Sequence, residues 1–438
     1  MATKQPVIFL IFTLFLGLGS RLSTHAQATA RGTNLAHLHP AFGTYRTTAG
    51  REFVLGRTEG NLFLLDHQTQ TYYTLRPSAT DRSAWQAGPG VHLRLTGTRL
   101  TRLQVGGAVQ RVAHVSTPAL ENLALENEGV HLAGILWKPA GVTAFPVVIL
   151  IHGAGPETRY GMRFIPYLFL RQGIGVFTYD KRGSGESTGH YEPWLAGIPA
   201  LATDVVAICH ALVKRPEVAA NRLALLGISN GAWVAQRAAA QLPTLKIVVP
   251  VVGGFIPVYQ QELYRLQLAA VAAKLPARAV LDLQRTMGQL YNDTLYHRLP
   301  PVQAQQRMQS LLAHARTQPW FSLTPLPAFE TLSAATFYDL ARRAWDNELA
   351  YSPQTDVASS SASIFSLLAA HDEVTPTNQV VALIRELNGS RQPQEQISTR
   401  VLPRTGHFLQ VNAQSASYQL PLGLEKAIRE VSMHLKAQ

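Results

Sequence analysis

The segment Leu223-Ala224-Leu225-Leu226-Gly227-Ile228-Ser229-Asn230-Gly231 decides how this chain is read. Leu223 to Leu226 is a short apolar run of the buried-strand kind, and Ala232 to Ala240 continues as a helical run. Between them lies the pentapeptide Gly227-Ile228-Ser229-Asn230-Gly231. A strand that turns sharply into a helix at a serine holds the hydroxyl clear of the sheet. The flanking positions must then be small, because neighbouring chain passes close by. The bare pattern also describes an ordinary turn, so the strand before it and the helix after it make Ser229 a candidate nucleophile.

A serine hydroxyl is weak until a base takes its proton, and the base needs a third group to hold its tautomer. In the strand–elbow–helix setting the partners follow in the order serine, acid, histidine. The later apolar run Ile364 to Ala369 ends at Ala370-His371-Asp372, which makes Asp372 the candidate acid. Glu373, Asp346 and Asp356 are its rivals; the last two precede the strand. Thr405-Gly406-His407-Phe408 lies before the C-terminal helical stripe Leu424, Ile428, Val431 and Leu435, so His407 is the candidate base. His371 reads as incidental. Acyl transfer also needs donors aimed at the developing oxyanion. The backbone N–H of Asn230 is one candidate. Ala154 N–H, in the loop His152-Gly153-Ala154-Gly155-Pro156, is the other, with His152 shaping that loop.

Working outward, the runs Pro146 to Ile151, Gly175 to Tyr179 and Ile247 to Val252 read as further buried strands. A helix with the stripe Leu201, Val205, Ile208 and Leu212 separates the second strand from the elbow strand. Alternating strands and helices from about residue 120 onward predict a largely parallel sheet flanked by helices. Residues 257–345 interrupt that alternation with helical stripes, among them Tyr259-Leu263-Leu266-Ala270 and Val280-Leu283-Met287-Leu290, bounded by prolines. They predict a helical cap, with Phe255, Trp320 and Phe321 as candidates for an apolar acyl pocket. Residues 29–118 carry period-two runs (Glu52 to Arg57, Asn61 to Leu65, Thr71 to Leu75, Val91 to Thr96, Leu100 to Val105). They predict an antiparallel β-rich accessory domain ahead of the larger one at 119–438.

Composition narrows the classes. Hydrophobic residues make up 46% of the 438, enough to build cores, which excludes a mainly disordered chain. The formal charge of +12 is dispersed without a run of basic residues, which argues against a nucleic-acid partner. The single cysteine, Cys209, excludes an intramolecular disulfide framework and reads as a buried thiol in a helix. No metal or organic cofactor is implied. Lys4, the apolar run Val7 to Leu18 and Ala26-Gln27-Ala28 together read as an export signal over residues 1–28. The mature protein is expected outside the cytoplasm, periplasmic or extracellular, with no stable membrane insertion.

These features together resemble the α/β-hydrolase superfamily over roughly residues 125–438. More narrowly, Leu132-Ala133-Gly134, Ile151 to Pro156, Asp372-Glu373-Val374-Thr375-Pro376 and Gly406-His407 resemble secreted bacterial hydrolases of the serine aminopeptidase/acyl-esterase type. Asp180-Lys181-Arg182-Gly183-Ser184-Gly185-Glu186-Ser187 is similar to a segment that shapes the loop beside the active site in that group. The resemblance implies an α/β-hydrolase fold, with the helical insertion unmatched by motif, and a Ser229–His407–Asp372 hydrolase acting on a small-molecule acyl substrate. A carboxylesterase is the first expectation. A peptidase or aminopeptidase is the second; it would want a cap carboxylate, Glu262 or Glu330, to hold an α-amine. A non-catalytic protein that binds a partner or glycan through the β-domain is the third.

Overall fold

The computed structural model describes residues 35–437, apart from 82, 89, 193–194, 390 and 393–395. The expected export signal lies outside the described residues. The N-terminal part builds nine strands: β1 (Gly43–Thr47), β2 (Glu52–Arg57), β3 (Leu62–Asp66), β4 (Thr71–Pro77), β5 (Ala84–Gln86), β6 (His92–Thr96), β7 (Arg99–Val105), β8 (Ala108–Gln110) and β9 (Val112–Ser116). They run as an antiparallel meander from β8 back to β1, with β9 closing onto β1.

The second sheet holds β10 (Ala119–Asn127), β11 (Val130–Lys138), β12 (Phe145–Ile151), β13 (Gly175–Tyr179), β14 (Val218–Ile228), β15 (Ile247–Val251), β16 (Ser363–Ala369) and β17 (Ser398–Leu402). Their order is β10-β11-β13-β12-β14-β15-β16-β17. The first three pair antiparallel and the remainder parallel. Every residue of β12, β13 and β15 is buried, as expected of central strands covered on both faces. The helices α1 (Ile165–Leu170), α2 (Ile198–Leu212), α3 (Asn230–Ala239), α9 (Thr377–Gly389) and α10 (Leu424–Ala437) accompany this sheet. The stripe of α2 is wholly buried, and Cys209 within it has its thiol pushed up to about 12 by burial.

Between β15 and β16 the chain leaves the sheet and builds the cap. It comprises α4 (Val258–Ala272), α5 (Ala277–Leu290), α6 (Pro301–Arg316) and α7 (Ala334–Ala344), with π-helical turns at Thr294–Arg298 and Trp345–Leu349. A short α8 (Gln354–Ser359) returns to β16. The cap has its own core, and Trp320 sits fully buried in it with its indole N–H donating to Asp282 at 3.1 Å.

One connection was not readable in advance. β18 (Ser417–Gln419), between the His407 loop and α10, joins the first sheet and not the second, pairing antiparallel with β4. Tyr418 stacks on Tyr72 at 4.8 Å between ring centroids, and Tyr72 in turn stacks on Phe63 at 5.3 Å. Val54, Phe63, Leu65 and Tyr72 share one continuous core with Ile135, Trp137, Tyr167 and Tyr418. The two sheets therefore meet through a common hydrophobic core.

Candidate active site

Ser229 sits between the end of β14 and the start of α3 with φ +55°, a left-handed conformation that a non-glycine residue adopts only under constraint. The constraint is visible. Ser229 N–H donates to Val251 at 2.8 Å, and the Ser229 carbonyl accepts from Ala232 N–H at 2.9 Å. A Cβ at position 227 would lie 1.9 Å from the Gly231 carbonyl oxygen, and one at 231 would lie 2.4 Å from that of Ile151. Both glycines are thus demanded by close backbone approach.

The loops after β16 and β17 bring the other two candidates to this serine. His407 Nε2 lies 2.8 Å from Ser229 Oγ, and Nδ1 lies 2.9 and 3.1 Å from the two Asp372 oxygens. Asp372 is buried, and its Oδ1 also accepts the N–H groups of Val374 (2.8 Å) and Thr375 (2.7 Å). Those bonds hold the carboxylate in place independently of the histidine. Glu373 faces elsewhere and accepts His407 N–H at 3.1 Å, so it braces the histidine loop. Asp346 pairs with His297 and Arg342, and Asp356 with Arg237 and Tyr351. Neither rival reaches His407. His371 is exposed.

The loop after β12 faces the elbow from the other side, with Ala154 and Asn230 both lining the cavity that ends at Ser229. His152 is buried and bonds Thr158 O at 3.0 Å; burial above all, aided by the Lys181 charge, lowers its pKa to about 3. It stays neutral and ties the loop. The segment after β13 is a scaffold: Asp180 accepts both Arg159 Nε (2.9 Å) and an Arg159 terminal nitrogen (2.6 Å), and Arg182 grips Asp204.

The family model described as "Serine aminopeptidase, S33" matches residues 143–397, more than half of the chain. The chain belongs to that family. It has the α/β-hydrolase fold. No curated protein matches it. Among solved structures it is similar to DcsB in complex with a substrate analogue (16% identity, 73% of this chain and 99% of that one, TM-score 0.46). It is also similar to the esterase Pf2001 of Pyrococcus furiosus (16%, 73% and 91%, 0.44). A third is acetyl xylan esterase 1 of Thermoanaerobacterium sp. (15%, 74% and 85%, 0.42).

In this member of the S33 family the cap closes over Ser229 and leaves a cavity of about 160 Å³. Its walls are mostly apolar: Trp233 on α3, and Val258, Met287, Leu290, Phe337 and Leu340 from the cap. The three pocket candidates read from sequence do not line it. Trp320 is spent on the cap core, Phe321 packs against that core, and Phe255 is buried in a separate cluster with Ile364 and Val380. Of the two cap carboxylates, Glu330 is exposed and pairs with Arg316, away from the cavity. Glu262 does line the cavity, but Arg265 grips both of its oxygens at 2.6–2.7 Å.

The carboxylate that sequence reasoning missed is Glu348, on the π-helical turn after α7. It is buried and lines the cavity, and its Oε1 accepts a short hydrogen bond from Asn230 Nδ2. Burial pushes its pKa up to about 7 against the opposing pull of Lys181 and the Asn230 bond. No motif flags it, because only the cap's return path sets it beside the elbow. Among the described residues, no group of three or more His, Cys, Asp or Glu could hold a metal ion.

Proposed function

We propose that this chain is a serine hydrolase that cleaves carboxylic esters of small acyl substrates through an acyl-enzyme intermediate. Ser229 Oγ attacks the acyl carbonyl as His407 Nε2 takes its proton, and Asp372 holds Nδ1–H and stabilises the imidazolium. The N–H groups of Ala154 and Asn230 receive the oxyanion. His407 returns the proton to the departing alcohol, then activates a water that releases the acid and restores Ser229. The observation that carries the ester reading is the apolar cavity ending at Ser229, which suits an uncharged acyl chain.

A peptidase reading has one observation in its favour beyond the family's description. Glu348 places a buried carboxyl group in the cavity lining, where a substrate amine could dock. A panel of nitrophenyl esters against aminoacyl anilides separates the two. Ester cleavage by the wild type, with fluorophosphonate labelling confined to Ser229, is the expected result. Aminoacyl anilide cleavage without ester cleavage overturns the ester reading, and label on another serine overturns the mechanism.

We further propose that the protein is exported, acts without a nucleic-acid partner, and does not insert stably in a membrane. The N-terminal apolar run and the dispersed charge support this, and among the described residues no helix is long and apolar enough to cross a membrane. N-terminal sequencing of protein from a periplasmic or culture fraction is expected to begin after Ala28. Intact Met1 in a cytoplasmic fraction would overturn it.

A further inference from the structure

Behind the loop His152–Pro156 lies a buried ammonium. Lys181 follows β13 and is 2% exposed. Its Nζ donates to the Gly153 carbonyl in a short bond and to the Gly155 carbonyl at 2.8 Å. The same nitrogen lies 4.1 Å from the centroid of the Tyr191 ring, whose hydroxyl accepts Gly155 N–H at 3.1 Å. Three successive peptide units are therefore held. Lys181 holds those that carry the Gly153 and Gly155 carbonyls, and Tyr191 holds the one between them.

The Gly153 carbonyl and the Ala154 N–H occupy opposite edges of one planar trans unit, and no cis peptide occurs among the described residues. Fixing the oxygen on Lys181 thus fixes the N–H, which points away from the lysine. A cation on that oxygen also draws electron density through the amide and makes the N–H a stronger donor. We propose that Lys181 is a positioning residue for oxyanion stabilisation, orienting and polarising Ala154 N–H through the Gly153 carbonyl. The inference rests on the reading of Ser229 as nucleophile and Ala154 N–H as oxyanion donor. Space-filling alone explains the residue poorly. A methionine would fill the same volume, whereas an ammonium taken out of water is costly to hold. Burial indeed lowers the Lys181 pKa to about 8, against the attraction of Glu157 and Glu348.

The test uses the full chain with Lys181→Met, Lys181→Arg and Tyr191→Phe, assayed on an ester and its thionoester. An oxyanion hole favours oxygen over sulfur, so weakening it lowers the oxo-to-thiono ratio of kcat/KM, which a loss of folded protein alone does not change. Removing a direct oxyanion donor costs about 10²–10³ in kcat, so Lys181→Met should cost roughly tenfold to a hundredfold in kcat with little change in KM. The oxo-to-thiono ratio should fall with it, and Lys181→Arg, which still donates to carbonyls, should recover part of both. Tyr191→Phe keeps the ring beneath the ammonium and should show a smaller loss in the same direction. Unchanged kcat and ratio in Lys181→Met overturn the inference, as does a loss of activity with the ratio intact. If Lys181→Met does not fold, Tyr191→Phe decides alone by the same two readouts. Failure of wild-type Ser229 to take a fluorophosphonate would instead sink the underlying reading, so the two failures are distinguishable.

Discussion

The cavity sets a chain length that can be tested. Its volume is about 160 Å³, and an apolar protein cavity of about 150 Å³ accepts one benzene, so roughly six carbons fit. With the carbonyl held at Ser229, that places the optimum near a hexanoyl ester. Each methylene buried is worth up to ~0.8 kcal/mol, so the four added between acetyl and hexanoyl give at most about 3 kcal/mol, or roughly 200-fold in kcat/KM. The series acetyl, butyryl, hexanoyl, octanoyl, decanoyl should climb and then fall. Ala341, on α7, lines the cavity, and Ala341→Phe would place a ring of about benzene size in that space. The hexanoyl-to-acetyl ratio should then collapse toward one. Trp320→Ala serves as the control, because Trp320 belongs to the cap core. It should lower Tm and leave the ratio as in the wild type. Nitrophenyl ester kinetics read all three proteins. A flat wild-type series, or a ratio unmoved by Ala341→Phe, would refute the assignment of this cavity to the acyl chain.

The remaining expectations are narrower. His407→Ala, Asp372→Asn and Ser229→Ala should each fold but lose several orders of magnitude in turnover, and double variants should lose little more, since the three act as a unit; additive losses in the kinetics would contradict this. Glu348, with its pKa raised to about 7 from an ordinary 4.5, keeps its proton when folded and releases it when unfolded, so stability should fall as pH rises from about 4.5 to 7. Glu348→Gln should flatten that part of the Tm-against-pH curve, and an unchanged slope would count against the assignment. Tyr72→Ala removes the ring stacked between Phe63 and Tyr418 and should cost about 3–5 kcal/mol, measured by denaturant unfolding. A chain beginning near Glu121 should be insoluble or inert, and full ester turnover by it would overturn the shared-core argument.

What could be read from the sequence was whatever local chemistry dictates. The elbow is legible because Gly227 and Gly231 are forced by backbone oxygens 1.9 and 2.4 Å from where their Cβ would stand, and few other residues could occupy those positions. Asp372 and His407 are legible because each follows a recognisable apolar run or precedes a recognisable helix, and the strand order of the fold brings their loops together. Continuous apolar runs such as Val147 to Ile151 mark central strands, since only burial on both faces removes the polar alternation. The cap helices follow from their stripes, but stripes say only that a face is buried and not against what. Hence Trp320 reads either as pocket wall or as cap core, and its full burial within the cap cluster places it in the core.

The same limit explains β18 and the role of the N-terminal sheet. Three residues, Ser417–Gln419, carry too little period to register as a strand, and their partner β4 is more than three hundred residues away. Yet this short pairing ties the segment after His407 to the first sheet, and the coupling extends to the opposite side of the site. Glu59, in the turn between β2 and β3, accepts a short hydrogen bond from Thr158, and the Arg57 guanidinium lies 3.6 Å from the centroid of the Tyr160 ring. Thr158 is the residue whose carbonyl holds His152, at the head of the oxyanion loop. The N-terminal sheet contributes no atom to the proposed triad but braces the segment after His407 and the loop that carries Ala154. Loosening it should therefore cost turnover before it costs substrate binding, because most of the cavity walls come from the cap.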